Sequence, residues 1–297
     1  MMFDQTIHNP ILNTNKPLPE IKVLSDVEHV NSKSKTFMLY DNKTDKNLLF
    51  IGSCRTVQLA FYFNNLNIPH LKRNIYILYV PHWSTEELRK FLPRDVILKI
   101  LDKTDIIICE SIERFGILNT YEHLEQNFFK HFDVKNKLIF PIPNIELRMF
   151  HYEITRVFKI PIHEVGGYFH KSKEHILNKL KVFGYEKVAE FIERNITKIK
   201  LFSTFNHPTR VVMLLLFKYL ALKMGIHLPA SFFTEMDKYN FIEGNELPII
   251  QKDIDLYNLK FSCTISDELV LGMPDVVFVK HPKIDYKFVD TEDFIIF

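Results

Sequence analysis

Three short apolar runs, each followed by helix-forming sequence, constrain what this chain can fold into: 47–52 (Asn-Leu-Leu-Phe-Ile-Gly), Ile75–Val80 and Asp105–Cys109. Short continuous apolar runs bounded by turn residues read as strands buried on both faces, the kind found in parallel sheets. Between them, Thr56–Asn64 and Ser84–Leu101 read as helices. The second carries Ser84 or Thr85 as a cap and Glu86 and Glu87 in its first turn, where the positive end of the helix dipole favours acids. Strand, helix and strand in succession imply parallel pairing. Downstream, the pattern predicts a helix at Tyr121–Phe132, a strand at Lys137–Phe140, and a helical stretch Ser172–Ile196 that Gly184 interrupts. A strand at Leu201–Phe205 and an apolar helix over 211–224 follow, with Asn206 or His207 as the cap and Pro208 in the first turn. The expected fold class is α/β, a mainly parallel sheet flanked by helices with a smaller additional C-terminal region.

Residues 1–45 read as an arm or a pair of edge strands, built from Ile21–Leu24 and Thr36–Tyr40. Residues 46–225 form the expected core, and 226–297 a C-terminal subdomain packed on it, with a strand at Val276–Lys280 and a final apolar Phe294–Phe297. A hydrophobic fraction of 46%, with 27 Phe and 12 Tyr, is ample for a packed interior. Lys and Arg total 38 against 36 Asp and Glu with no arginine-rich run, which argues against nucleic acid as a partner. Cys54, Cys109 and Cys263 are odd in number and far apart, fitting neither a disulfide framework nor a CxxC metal site. A reducing, cytoplasmic location is therefore expected. The first 16 residues lack the basic start and apolar stretch of a signal peptide. The longest apolar stretch, Val211–Leu222, is broken by Lys218 and falls short of the roughly 20 residues that span a bilayer, so no membrane span is expected.

Ligands of open α/β sheets gather at the carboxyl ends of strands, and two distinctive segments stand at such ends: Gly52-Ser53-Cys54-Arg55 and Asn206-His207-Pro208-Thr209-Arg210. Glycine at a strand-to-helix turn admits close backbone approach, and a cysteine near a helix start, beside Arg55, has its thiolate favoured. The alternative for Cys54 is a small residue packed under a turn. His207 has the chemistry of a general base or acid, although most histidines are neither, and the helix-opening amides with Arg210 suit a phosphate or an oxyanion. The patch of His163, His170, Glu174 and His175 has no zinc-site spacing, so no metal site is expected. No dinucleotide or nucleotide phosphate loop occurs in the sequence.

The turn 52–55, the strand Asp105–Ile112 with Asn119-Thr120 after it, and Phe205-Asn206-His207-Pro208-Thr209 together resemble the WcbI-type polysaccharide-biosynthesis acetyltransferases. That family is similar in its sheet to SGNH (GDSL-type) hydrolases, has Cys in place of their nucleophilic Ser, and binds coenzyme A. The resemblance covers about residues 47–225, with Ser53, Arg55 and Glu110 standing where the family more often has Asn, Gln and Gln. It implies an SGNH-like core and Cys54 as nucleophile or acyl-contacting thiol. His207 becomes the activating base, Asn119 and the Cys54 amide oxyanion-hole donors, and Glu110 an orienting carboxylate. Ser53, Arg55, Asn206, Thr209 and Arg210 are the implied contacts to coenzyme A.

The resulting expectation is an acetyl-CoA-dependent O- or N-acyltransferase acting on a sugar, nucleotide sugar or glycan. Transfer through a Cys54 thioester and direct transfer with His207 as base both satisfy the residues. Two rivals remain: an SGNH-type esterase or deacetylase with water as acceptor, and a noncatalytic binding or scaffold protein on the same fold.

Overall fold

The computed structural model describes residues 22–29, 32–40, 46–66, 73–79, 94–111, 134, 136–151, 154–155, 158–229, 232–233, 236 and 249–261. By its contacts the chain forms two compact units, Met1–Asn144 with Lys223–Ile226, and Ile145–Leu222 with His227–Phe297. The division falls inside the 46–225 stretch read from the sequence as one core.

The first unit is built on a six-stranded sheet. Its strands are β1 (Lys22–His29), β2 (Ser32–Tyr40), β3 (Lys46–Gly52), β4 (Arg73–Tyr79), β5 (Ile106–Ser111) and β6 (Leu138–Pro143), in the spatial order β1-β2-β4-β3-β5-β6. β1 and β2 pair antiparallel and β2 joins β4 antiparallel, whereas β4, β3, β5 and β6 are mutually parallel. Leu48, Leu49, Phe50 and Ile51 are all buried, which is why β3 reads as a continuous apolar run rather than an alternating one. Helix α1 (Cys54–Asn65) packs on β3 and β4, with the rings of Phe50 and Phe63 5.6 Å apart across the layer. Helix α2 (Arg94–Lys103) packs on β3.

The order of the parallel strands positions the site. The chain leaves β3 for its neighbour β4 on one side and returns to β5 on the other side of β3. The direction of winding thus reverses at β3, and such reversals open a crevice outside the carboxyl ends of the two strands that flank the switch. Here those ends are Gly52 and the Glu110–Ser111 pair.

Gly52 is required by its surroundings as well as by its φ of +154°. A Cβ at this position would lie 2.6 Å from Glu110 Cβ and 2.7 Å from its Oε2, and closer still to Thr56 Oγ1. Gly52→Ala is expected to destabilise the fold by about 2 kcal/mol or more, measured by urea denaturation, because backbone strain and overpacking add at one position.

In the second unit a 3₁₀ turn (Ile162–Glu164) leads into α3 (Val165–Val182) and α4 (Glu186–Asn195). The break expected at Gly184 is present, with φ +72° there. Tyr185 N–H donates to Leu180 O at 2.8 Å and Gly184 N–H to Lys181 O at 2.8 Å, the paired bonds of a Schellman ending. Both Tyr185 and Leu180 are fully buried, so the turn is sealed by apolar contact as well as by hydrogen bonds. Helix α5 (Arg210–Lys223) is buried around nearly its whole circumference, as expected of a helix without a polar face. A last short helix, α6 (Gln251–Tyr257), ends at Asn258 in the left-handed conformation.

Several expected elements shift. Helix α1 begins at Cys54, two residues before the predicted start, which makes Cys54 its first residue. The stretch expected as one interrupted helix over 172–196 starts earlier, at Val165. Asn206, His207 and Pro208 do not cap α5: they lie in a hairpin in which β7 (Phe202–Thr204) pairs antiparallel with β8 (His207–Pro208). Thr209 stands before the helix instead, accepting the first helical hydrogen bond from Met213 N–H at 3.1 Å. Proline suits a first helical turn and the end of a short strand equally, so its presence did not separate the two. The predicted helix over 121–132, the first part of that over 84–101, the strand at 276–280 and the final apolar segment 294–297 lie outside the described residues.

Candidate functional site

At the switch point the turn after β3 is organised by one buried carboxylate. Glu110, at the end of β5, is 0% exposed, and its Oε2 accepts hydrogen bonds from Ser53 N–H (2.7 Å), Ser53 Oγ–H (2.6 Å) and Thr56 Oγ1–H (2.9 Å). Its Oε1 accepts from Arg55 Nε–H at 2.5 Å. Burial alone would raise the Glu110 pKa, but the Arg55 guanidinium and the donors from Ser53 and Thr56 hold it below the usual carboxylate range. One strand's carboxylate thereby grips three of the four residues that open α1.

Cys54 sits in the middle of this grip, half-buried, as the first residue of the helix. From the sequence, Cys54 is expected in a setting that favours thiolate. Burial pushes the Cys54 thiol up, outweighing the charge of Arg55, and Glu110 pushes in the same direction as burial. Arg55 gives Cys54 little net help because its charge is matched by Glu110. A thiol held in its protonated form needs a base before it can act as a nucleophile.

Ser53 and Arg55 were expected at the cofactor. Both are 2% exposed, and the Ser53 donors and the Arg55 Nε are engaged by Glu110, so both contribute to building the turn. Glu110 likewise directs its described bonds at the turn that carries Cys54. The sequence signal for this was the acid closing an apolar strand. Thr56, its third partner, carried no signal of its own.

The second unit gathers the other expected residues. His207 is half-buried, with Thr204 Oγ1 2.6 Å from its Nδ1, and Thr204 Oγ1–H donates to Asn206 Oδ1 at 2.9 Å. Asn206 is 5% exposed and forms part of the hairpin turn. Leu147 N–H donates to Phe205 O at 2.7 Å and Thr209 N–H to Leu201 O at 2.8 Å, so the hairpin is fixed by backbone bonds on both sides. Arg148 lies beneath it, its guanidinium 3.9 Å from the Phe158 ring centre, and Phe158 meets Phe205 edge-on at 4.9 Å. Thr209 is buried, yet its Oγ1 has no hydrogen-bond partner among the described residues, and Arg210 beside it is half-exposed at the start of α5. Asn119 lies outside the described residues.

A pair that sequence reading missed is His151 with Asp253. His151 backbone N–H donates to Asp253 Oδ1 at 2.7 Å, and its Nδ1 lies 2.8 Å from the same oxygen. Asp253 Oδ2 also accepts from Ile250 N–H at 3.1 Å, so the carboxylate ties the 144–151 segment to the start of α6. Burial raises the Asp253 pKa against the pull of these donors. A separation of 102 positions left no local pattern to find.

Among the described residues no group of three or more His, Cys, Asp or Glu side chains is arranged to hold a metal ion. No helix among them is long and apolar enough to cross a membrane. No family model matches the chain, and no curated protein matches it. Among solved structures the chain is similar to WcbI, described as a novel polysaccharide biosynthesis enzyme in its native form without a disulfide bond between coenzyme A and one of its cysteines. The identity is 13%, the alignment covers 74% of this chain and 81% of that chain, and the TM-score is 0.45. At that identity no activity or ligand passes from one protein to the other.

Proposed function

We propose that the chain is an acetyl-CoA-dependent acyltransferase that modifies a sugar, nucleotide sugar or glycan, with Cys54 as the residue that receives the acyl group. The observation that carries this reading is the placement of Cys54. It is the first residue of a helix, half-buried, at the carboxyl end of β3 where the strand order reverses, and the turn around it is gripped by a carboxylate from the adjacent strand. Chemistry in open α/β sheets concentrates at this place, and such support on a nucleophile's backbone is what orientation requires. The choice of acyl transfer and of a sugar acceptor rests on the resemblance of the segments 52–55, 105–112 and 205–209 to the WcbI-type acetyltransferases.

Bound acetyl-CoA would supply an acyl group already activated as a thioester. The residues that fit its phosphates are Thr209, whose buried hydroxyl has no partner among the described residues, and Arg210 at the first position of α5. Arg55 does not fit that role, since its guanidinium is buried against Glu110. A base must take the proton from the Cys54 thiol, and the resemblance assigns that role to His207. With the thioester bound, the Cys54 thiolate would take the acyl carbon, and the base would return its proton to the departing thiolate. In the second half the acceptor hydroxyl or amine would give its proton to the base and take the acyl carbon, and return of that proton to the Cys54 sulfur would restore the thiol. The upward shift of the Cys54 thiol favours a second reading, in which His207 activates the acceptor for direct attack and Cys54 only lines the site.

Coenzyme A at a hundredfold excess over its Kd is expected to stabilise the protein by about 2.7 kcal/mol in thermal melts. Arg210→Ala is expected to weaken binding by roughly 1.5–3 kcal/mol, the range for a hydrogen bond to a charged group. Unchanged melting together with no heat of binding in calorimetry would remove coenzyme A from the reading. Turnover of simple esters without coenzyme A would indicate a hydrolase instead.

A further inference from the structure

We infer that Thr204 is the positioning residue that sets the tautomer of His207, keeping the ring proton on Nδ1 and leaving Nε2 as the unprotonated nitrogen that acts as the base. This deepens the reading of His207 as the proton acceptor and rests on it for its catalytic meaning. The structural part stands by itself. Thr204 and His207 are paired across the β7–β8 hairpin, which places the hydroxyl and the ring side by side.

The assignment follows from counting hydrogens. Thr204 Oγ1 lies 2.9 Å from Asn206 Oδ1 and 2.6 Å from His207 Nδ1. A hydroxyl has one hydrogen to donate, and an amide oxygen can only accept. The hydrogen of Thr204 therefore goes to Asn206, and what Thr204 turns toward His207 is a lone pair. A lone pair is met only by an N–H, so Nδ1 carries the ring proton. A neutral imidazole has one N–H, which leaves Nε2 without a proton.

Burial makes the choice a firm one. Thr204 is 8% exposed and Asn206 5%, so water has little access to replace either bond, and reversing the arrangement would set two donors or two acceptors against each other. Asn206, read from the sequence as a cofactor contact, becomes the residue that gives the relay its direction. The hairpin itself is held by Leu147 N–H to Phe205 O and Thr209 N–H to Leu201 O, so it does not depend on the Thr204 hydroxyl for its shape. Thr204→Val, nearly equal in volume, therefore removes the hydrogen bond and retains the packing.

Nitrogen-15 NMR of histidine-labelled protein at a pH where His207 is neutral reads the tautomer directly, with the His207 signals assigned by their loss in His207→Gln. The expected result is a protonated Nδ1 and an unprotonated Nε2 in the wild type and in Thr204→Ser, with the proton moving to Nε2 in a large fraction of Thr204→Val. In transfer assays Thr204→Val should lower kcat by about tenfold with KM unchanged, a hydrogen bond's effect confined to the base. A wild-type spectrum with the proton on Nε2 overturns the inference, and so does a Thr204→Val spectrum that matches the wild type. The wild-type spectrum decides even where Thr204→Val fails to fold. Because the spectra require no turnover, absence of acyl transfer would defeat the functional reading and leave the tautomer assignment standing.

Discussion

Glu110→Gln is expected to lower the free energy of unfolding by about 3–5 kcal/mol at neutral pH, the cost of breaking a buried ion pair by removing the charge of one member. Arg55 is 2% exposed, so with Gln at position 110 its charge would face an amide in a place that water cannot reach. The shape of the side chain is preserved and the hydrogen bonds from Ser53 and Thr56 to an oxygen can persist, which assigns the loss to charge rather than to a cavity. The pH dependence has a definite sign. The folded-state pKa of Glu110 lies below its ordinary 4.5, so the stability it contributes is fully present above that value and is lost as pH falls through the folded-state pKa. The gap between wild type and Glu110→Gln should therefore be full at pH 7 and should close on acidification below about 4.5. Urea denaturation at the two pH values measures it. Equal midpoints for the two proteins at pH 7 would mean that the carboxylate does not hold the turn.

Cys54→Ala is expected to lower acyl transfer by about a thousandfold or more, the scale on which covalent catalysis depends on its nucleophile. Its thermal melt should move little, because the side chain is small and half-buried and none of the Glu110 bonds runs through it. Cys54→Ser should also be strongly impaired, since a hydroxyl is harder to deprotonate than a thiol and the environment here already disfavours the anion. A transferase assay with purified variants, normalised to folded protein, separates this outcome from a packing role. If Cys54→Ala retained activity and His207→Ala lost it, direct transfer would be the better description.

The framework was legible because it is written in local patterns. Apolar runs at 48–51, 75–78 and 106–109 have the length and composition of doubly buried strands, and helix signals between them force parallel pairing. Gly184 announced the end of α3 for a reason the Schellman bonds make explicit. The site was legible at single positions and illegible as a network. Cys54 and Glu110 each stood out at a strand end, but their relation depends on β3 and β5 lying side by side, and Ser53 and Glu110 are 57 positions apart in the chain. For the same reason Arg55 looked like a free cation beside a thiol, when it is one half of a buried pair.

Around His207 the obstacle was different. Asn-His-Pro-Thr before an apolar helix satisfies the rules for a helix start, and a hairpin that places Thr204 beside His207 satisfies them equally well. Thr204 had no independent mark in the sequence, because a threonine in a β-rich run is ordinary. Cys109 illustrates the opposite case. It too is a cysteine outside any disulfide, and its full burial within β5 pushes its thiol far above the ordinary value, which disfavours the thiolate.

The most direct test of Cys54 as the acyl-carrying residue is mass spectrometry under conditions that preserve thioesters, after incubating the protein with acetyl-CoA and no acceptor. The expected result is one added acetyl group per chain, located on the peptide that contains Cys54, absent in Cys54→Ala and lost when an acceptor sugar is supplied. Absence of the acetylated peptide, in a protein that still transfers acetyl groups and continues to do so as Cys54→Ala, would contradict it.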